Sequence, residues 1–126
     1  MINVLIPKNE TFNYEECEKL YNKCRRFMNE NQEFKDIVEK TMFFSIFNDD
    51  KFIGCIYYYM RDNDEKLYVN AFAGRHTHLA NVEALKKTMG WYNCDIYAET
   101  RHKTAIYCLY KCGFKKVKSN LYKYER

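Results

Sequence analysis

The feature that most constrains this fold is a run of three β-type segments, MFFSIF, KFIGCIYYYM and KLYVNAFA, followed by a helical pattern and a further β-type segment, CDIYAET. The first three are rich in β-branched and aromatic residues. Asn48-Asp49-Asp50 makes a hairpin turn between the first two, and the polar run Arg61-Asp62-Asn63-Asp64-Glu65 turns the chain into the third, giving an antiparallel meander. In the helical segment Leu79, Val82, Leu85 and Met89 share one face. Lys86 and Lys87 lie near its C-terminal turn, where the dipole favours cations, and Gly90 closes it. A strand–helix–strand crossover requires a parallel pair, so the sheet is expected to be mostly antiparallel with one parallel pair inside it. A parallel pair beside a splayed neighbour makes a crevice at strand ends.

The rest of the chain supplies elements on either side. Ile2 to Ile6 is a short apolar run ended by Pro7. Asn13 or Thr11 caps a helix in which Tyr14, Cys17, Tyr21, Cys24 and Met28 recur at helical spacing beside Leu20 and Phe27. A second short helix carries Phe34, Ile37 and Val38. After CDIYAET a helix runs from His102 to Cys112 with Ala105, Ile106 and Leu109 inward and Gly113 as its cap, and FKKVKS and LYKYE finish as two strands. The predicted order is β-α-α-β-β-β-α-β-α-β-β, an α/β fold. With 126 residues, positions 1–126 read as one domain around one core.

Composition narrows the classes further. Hydrophobic residues at 47% and charged residues at 30% exclude a disordered chain. No apolar run reaches the roughly 20 residues needed to span a bilayer, and MINVLIPKNE lacks a basic region followed by an apolar signal stretch, so a cytoplasmic protein without a membrane partner is expected. The six cysteines lie on regular elements and read as reduced thiols. Cys108 and Cys112 form an i,i+4 pair that falls short of a metal site by itself, and no metal is expected. Residues 101–126 hold eight Lys or Arg against the single acid Glu125, which favours an anion at that end. Nucleic acid and the phosphates of a nucleotide-like cofactor both qualify, and a solvated basic face is the plain alternative. No recognisable nucleic-acid motif is present, so nucleic acid is not favoured.

Two motifs carry a resemblance to a known family. The run His102-Lys103-Thr104-Ala105-Ile106-Tyr107-Cys108-Leu109-Tyr110-Lys111-Cys112-Gly113-Phe114 resembles the N-x-x-A-I-x-L-Y-x-K-x-G-F stretch of the GNAT acetyltransferase superfamily, matching at Ala105, Ile106, Lys111, Gly113 and Phe114. The loop Arg75-His76-Thr77-His78-Leu79-Ala80 is similar to the family's Q/R-x-x-G-x-G/A loop, matching at Arg75 and Ala80, with His78 in place of the central glycine. The element order is that of the same superfamily: a GNAT-like, mostly antiparallel mixed sheet with flanking helices.

The resemblance implies an N-acyltransferase that takes acetyl-coenzyme A as acyl donor and an amine, small-molecule or protein, as acceptor. In such enzymes the loop binds pyrophosphate through backbone N–H groups at a helix N-terminus, here Arg75, His76, Thr77, His78, Leu79 and Ala80. Ala105 lets its helix approach the cofactor closely. A backbone N–H near Phe72 or Ala73 polarises the thioester carbonyl. His76 and His78 have two readings, as phosphate ligands or bases and as exposed polar residues at a helix start. Glu99 is the best carboxylate for the base, or a solvent-facing strand residue; Asn70 sits where some relatives place an acid. The family's proton-donating Tyr aligns with Leu109, which cannot give a proton. Of the flanking tyrosines, Tyr110 is preferred over Tyr107 as its replacement. The departures at His78 and Leu109 leave a second expectation, a catalytically inactive module of the same fold that engages a protein or nucleic acid.

Overall fold

A computed structural model describes residues 1–28, 30–75 and 77–126, so Asn29 and His76 lie outside the described residues. Eleven elements follow the predicted order: β1 (Ile2–Leu5), α1 (Tyr14–Met28), α2 (Phe34–Lys40), β2 (Met42–Asn48), β3 (Lys51–Met60), β4 (Leu67–Ala73), α3 (His78–Met89), β5 (Ile96–Glu99), α4 (Lys103–Lys111), β6 (Lys115–Lys118) and β7 (Leu121–Tyr124). They form one sheet of order β1-β2-β3-β4-β5-β7-β6. Every neighbouring pair is antiparallel except β4 and β5. No described helix is long and apolar enough to cross a membrane.

Local chemistry explains the element ends. Asn13 caps α1, its Oδ1 accepting the Glu16 amide at 3.1 Å; Thr11 instead donates to Asn9. Asp49, with φ of 55°, makes the tight turn between β2 and β3. A bulge in that pairing leaves Ile53 unmatched, and beside it β3 and β4 come so close that a Cβ on Gly54 would stand 2.5 Å from the Phe72 carbonyl oxygen. At the end of α4, Gly113 takes a φ of +95° while the Phe114 amide donates to Leu109 (3.0 Å) and the Gly113 amide to Tyr110 (3.1 Å). This is a Schellman ending, and Leu109 and Phe114 are both buried beneath it. Gly90, expected to end α3 by its conformational freedom, ends it in ordinary right-handed geometry with φ of −62°.

The two faces of the sheet carry separate cores. One, under α3 and α4, joins Phe44, Ile46, Ile56, Tyr58, Val69, Leu85, Ile96, Leu109 and Phe114. The other, under α1 and α2, joins Cys17, Tyr21, Phe34, Ile37, Phe43, Cys55, Tyr57 and Phe72. Two residues depart from the helical patterns read from sequence: Phe27 is 61% exposed at the end of α1, and Leu79 is 71% exposed at the start of α3, whose core-packed face begins at Ala80. All six cysteines are free thiols.

Candidate functional site

The sheet opens at its one parallel pair. β4 and β5 are in register over only two residue pairs, Leu67 with Ile96 and Tyr68 with Tyr97, while β4 continues paired to β3 as far as Ala73. From Val69 onward the β5 side of β4 is therefore an unpaired edge inside the sheet, the crevice expected from the crossover. The Gly74 amide donates to Ile53 on β3 at 3.0 Å. Since successive residues of a strand alternate their hydrogen-bonding direction, Phe72 also addresses β3, and Val69, Ala71 and Ala73 address the gap. Phe72 therefore cannot polarise a carbonyl lying there, and its ring is buried in the α1-side core. Ala73 can. Across the gap, the Thr100 amide donates to Asn120 beyond β7 (3.0 Å), so by the same alternation Glu99 turns its backbone to the gap.

The crevice leads to the start of α3. Thr77 precedes the helix, its hydroxyl donating to the Gly74 carbonyl (2.9 Å) and accepting from the Asn81 side chain (3.0 Å). Its side chain does not cap the helix, and the first turn holds no acid. Among the described residues, the amides of His78, Leu79 and Ala80 have no acceptor; the first recorded helical bond is from Asn81 to Thr77 at 2.9 Å. Exposed amides at the positive end of a dipole form a surface suited to an anion. Arg75 is exposed next to it, and His76 lies outside the described residues. His78 does not fill the crevice. Its exposed ring turns edge-on to Tyr107 of α4 at 6.4 Å, and Lys111 Nζ stands 5.5 Å from the centre of the same Tyr107 ring.

On α4, Ala105 is half-buried and Leu109 is buried in the core. Tyr110 is not brought to the crevice: its ring lies edge-on to Tyr122 of β7 at 5.8 Å, on the side of β5 away from β4. The tyrosine next to α3 is Tyr107. Glu99 is half exposed, and its carboxylate pairs with Arg61, whose guanidinium lies 3.8 Å over the Tyr68 ring. The carboxylate chosen from sequence as base therefore has its charge already answered.

A second carboxylate, Glu30 in the α1–α2 connection, was missed by the sequence reading; it lies on the α1 face of the sheet and reaches the gap edge of β4 through two side chains. The Ala71 amide donates to Asn70 Oδ1 (2.8 Å), Asn70 Nδ2 to the Tyr57 hydroxyl (3.0 Å), and that hydroxyl to Glu30 Oε2 (3.4 Å). Burial, reinforced by the Glu30 charge, pushes the Tyr57 hydroxyl far up, so it stays protonated and donates. The chain thus links a gap-facing strand residue to a half-buried carboxylate. The end of α1 forms the wall on this face. Cys24 Sγ donates to the Ala73 carbonyl at 3.8 Å, and Phe27 meets His102, at the start of α4, edge-on at 6.3 Å. Among the described residues, no three His, Cys, Asp or Glu side chains are grouped to hold a metal ion.

No family model and no curated protein matches the chain, but solved structures do. An aminoglycoside acetyltransferase, AAC(6')-Ib, in complex with coenzyme A superposes with a TM-score of 0.73 at 10% identity, over 100% of this chain and 95% of its own. A GNAT-family acetyltransferase from Bacillus anthracis gives 0.67 at 12% identity, over 98% and 94%. A ribosomal-protein-S5-alanine acetyltransferase from Vibrio fischeri gives 0.64 at 14%, over 98% and 92%. The chain has the fold of the GNAT acetyltransferases.

Proposed function

We propose that this chain is an acyl-coenzyme A dependent N-acyltransferase acting on an amine. The observation that carries the reading is the pairing of β4 and β5 for two residues only, followed by a gap that leads to amides at the start of α3 with no acceptor among the described residues. In this reading the pyrophosphate of acetyl-coenzyme A takes the amides of His78, Leu79 and Ala80, with Arg75 adding charge, and the arm of the cofactor replaces the missing strand pairing between β4 and β5. The thioester oxygen then lies within reach of the Ala73 amide, which stabilises the negative charge that develops when the amine attacks. The amine lone pair attacks the carbonyl carbon, an amide forms, and the coenzyme A thiolate leaves with the proton shed by nitrogen. Ala105 sets how closely α4 approaches the cofactor.

The test is calorimetric titration with acetyl-coenzyme A, joined to a thiol-release assay over an amine panel. Binding below millimolar concentration with amine-dependent thiol release is the expected result. Absence of binding at millimolar cofactor overturns the reading.

Leu109 and Tyr110 favour a second reading, a non-catalytic module of the same fold. Leu109 is buried where a proton donor is wanted, and Tyr110 lies over β7. The exposed β6 run Lys115, Lys116, Val117 and Lys118 would then face an anionic partner. Retention on immobilised nucleic acid that falls steeply with salt, without thiol release, supports this second reading.

A further inference from the structure

Glu30 is, among the described residues, a carboxylate without a cation. Among the described residues no Lys, Arg or His lies within ion-pair distance of it, although Arg25 and Arg26 stand in the last turn of α1 just before it. Arg25 is engaged elsewhere, donating to the Gln32 carbonyl at 3.2 Å with its guanidinium 5.4 Å from the centre of the Tyr21 ring. One Glu30 oxygen, Oε1, accepts the Asn31 and Gln32 amides at 3.0 and 3.1 Å, which fixes the carboxylate in place. The other, Oε2, has only the long contact from Tyr57. Burial raises the pKa of the Tyr21, Tyr57 and Tyr59 hydroxyls, and the Glu30 charge adds to the rise at each. A negative group just beyond a helix C-terminus, where the dipole is also negative, is electrostatically unfavourable unless a positive group joins it.

We propose that Glu30 is the acceptor-binding carboxylate of this site, and that the acceptor it selects is a primary alkylammonium. This rests on the acyl-transfer reading for its place in the reaction. An ammonium carries three donors, and the open lone pairs of Glu30 Oε2 accept one of them; the bound ammonium gives one proton to water before its nitrogen lone pair attacks, and the second leaves with the thiolate. Asn70 is committed by its two hydrogen bonds, with Oδ1 to Ala71 and Nδ2 to Tyr57, so it orients the chain and offers the ligand no charge. Negatively charged acceptors are excluded by the same carboxylate.

Glu30→Gln isolates the charge, because glutamine keeps an oxygen for the Asn31 and Gln32 amides and so preserves the loop. The experiment titrates propylammonium chloride into the ¹⁵N-labelled protein at constant ionic strength. The Asn70 side-chain NH₂ and the Ala71 and Gln32 amides are followed, and the same samples are then titrated with coenzyme A. In the wild type these three signals move together; in Glu30→Gln the affinity for propylammonium falls about tenfold or more, while coenzyme A affinity stays unchanged and the melting temperature does not fall. Equal propylammonium response in both proteins, or shifts confined to residues around Glu99, overturns the assignment. Loss of coenzyme A binding in the wild type with a Glu30-dependent ammonium response retains the amine site and overturns the acyl-transfer reading instead.

Discussion

The hydroxyls of Tyr58 and Thr88 meet 2.7 Å apart with both side chains fully buried, and this contact fastens α3 to the middle of the sheet. Thr88 also donates to the Ala84 carbonyl at 3.1 Å, so the hydrogen between the two hydroxyls comes from Tyr58. Thr88→Val removes the acceptor and strands a buried phenol, at an expected cost of about 1–3 kcal/mol. Tyr58→Phe leaves Thr88 satisfied by the helix carbonyls and should cost less, about 1 kcal/mol. Urea unfolding of the two variants checks the order, and a greater loss in Tyr58→Phe contradicts it.

Glycine is required at two places for different reasons, and the losses should differ accordingly. At Gly113 the φ of +95° is the difficulty, with Tyr124 Cε1 3.2 Å from the position of an added Cβ. Gly113→Ala should cost about 1–2 kcal/mol. At Gly54 the obstacle is backbone, the Phe72 carbonyl at 2.5 Å and the Ala73 Cα at 2.8 Å. Neither can move without parting β3 from β4, so Gly54→Ala should cost about 3 kcal/mol or more. Because Ala73 also faces the gap, this variant should lose coenzyme A affinity as well, whereas Gly113→Ala should keep it. Thermal melts beside cofactor titration separate the two.

These contrasts mark what sequence could and could not convey. The element order was readable because period 2 gives way to period 3.6 and back at clear turn clusters, and Gly113 with Phe114 fixes the end of α4 by purely local chemistry. The orientation of single side chains was not. Sequence reading prefers Tyr110 to Tyr107 as the replacement for Leu109, yet Tyr110 stands over β7 and Tyr107 beside His78, a choice made by how α4 sits on the sheet. The pairs Arg61 with Glu99 and Tyr57 with Glu30 join residues 38 and 27 positions apart. No spacing rule links such residues; only the sheet register does. Glu30 lies in a polar connection where no motif marks it.

The Asp64 carboxyl accepts the Tyr68 hydroxyl at 2.7 Å and is held below the usual carboxylate range, first by that bond and then by the Lys66 amide and nearby cations. A carboxyl whose folded pKa is depressed contributes stability above its unfolded pKa and loses it as pH falls through the folded value. The wild type should therefore exceed Tyr68→Phe in stability by a constant margin at neutral pH, and the margin should shrink below about pH 4. The ring stays in Tyr68→Phe, so its stacking on Tyr59 at 5.8 Å is retained. Melting temperatures of the pair between neutral and acid pH provide the check; a margin that widens on acidification contradicts the linkage.

A carboxylate added to the first turn of α3 should act oppositely on fold and ligand. Leu79 is 71% exposed, so replacing it removes little packing, and the turn has no acid of its own. In Leu79→Glu the new charge interacts favourably with the helix dipole and the first-turn amides, and should raise the melting temperature by about 2 °C. A phosphate bound at the same amides would meet that charge at close range, so affinity for coenzyme A should fall about tenfold or more. Leu79→Gln, which brings no charge, should leave both quantities near wild type. A stabilised Leu79→Glu that binds coenzyme A as tightly as the wild type would mean that the cofactor's phosphates lie away from the start of α3. The exposed Arg75 and the Lys111–Tyr107 pair would then be the remaining anchors near the gap.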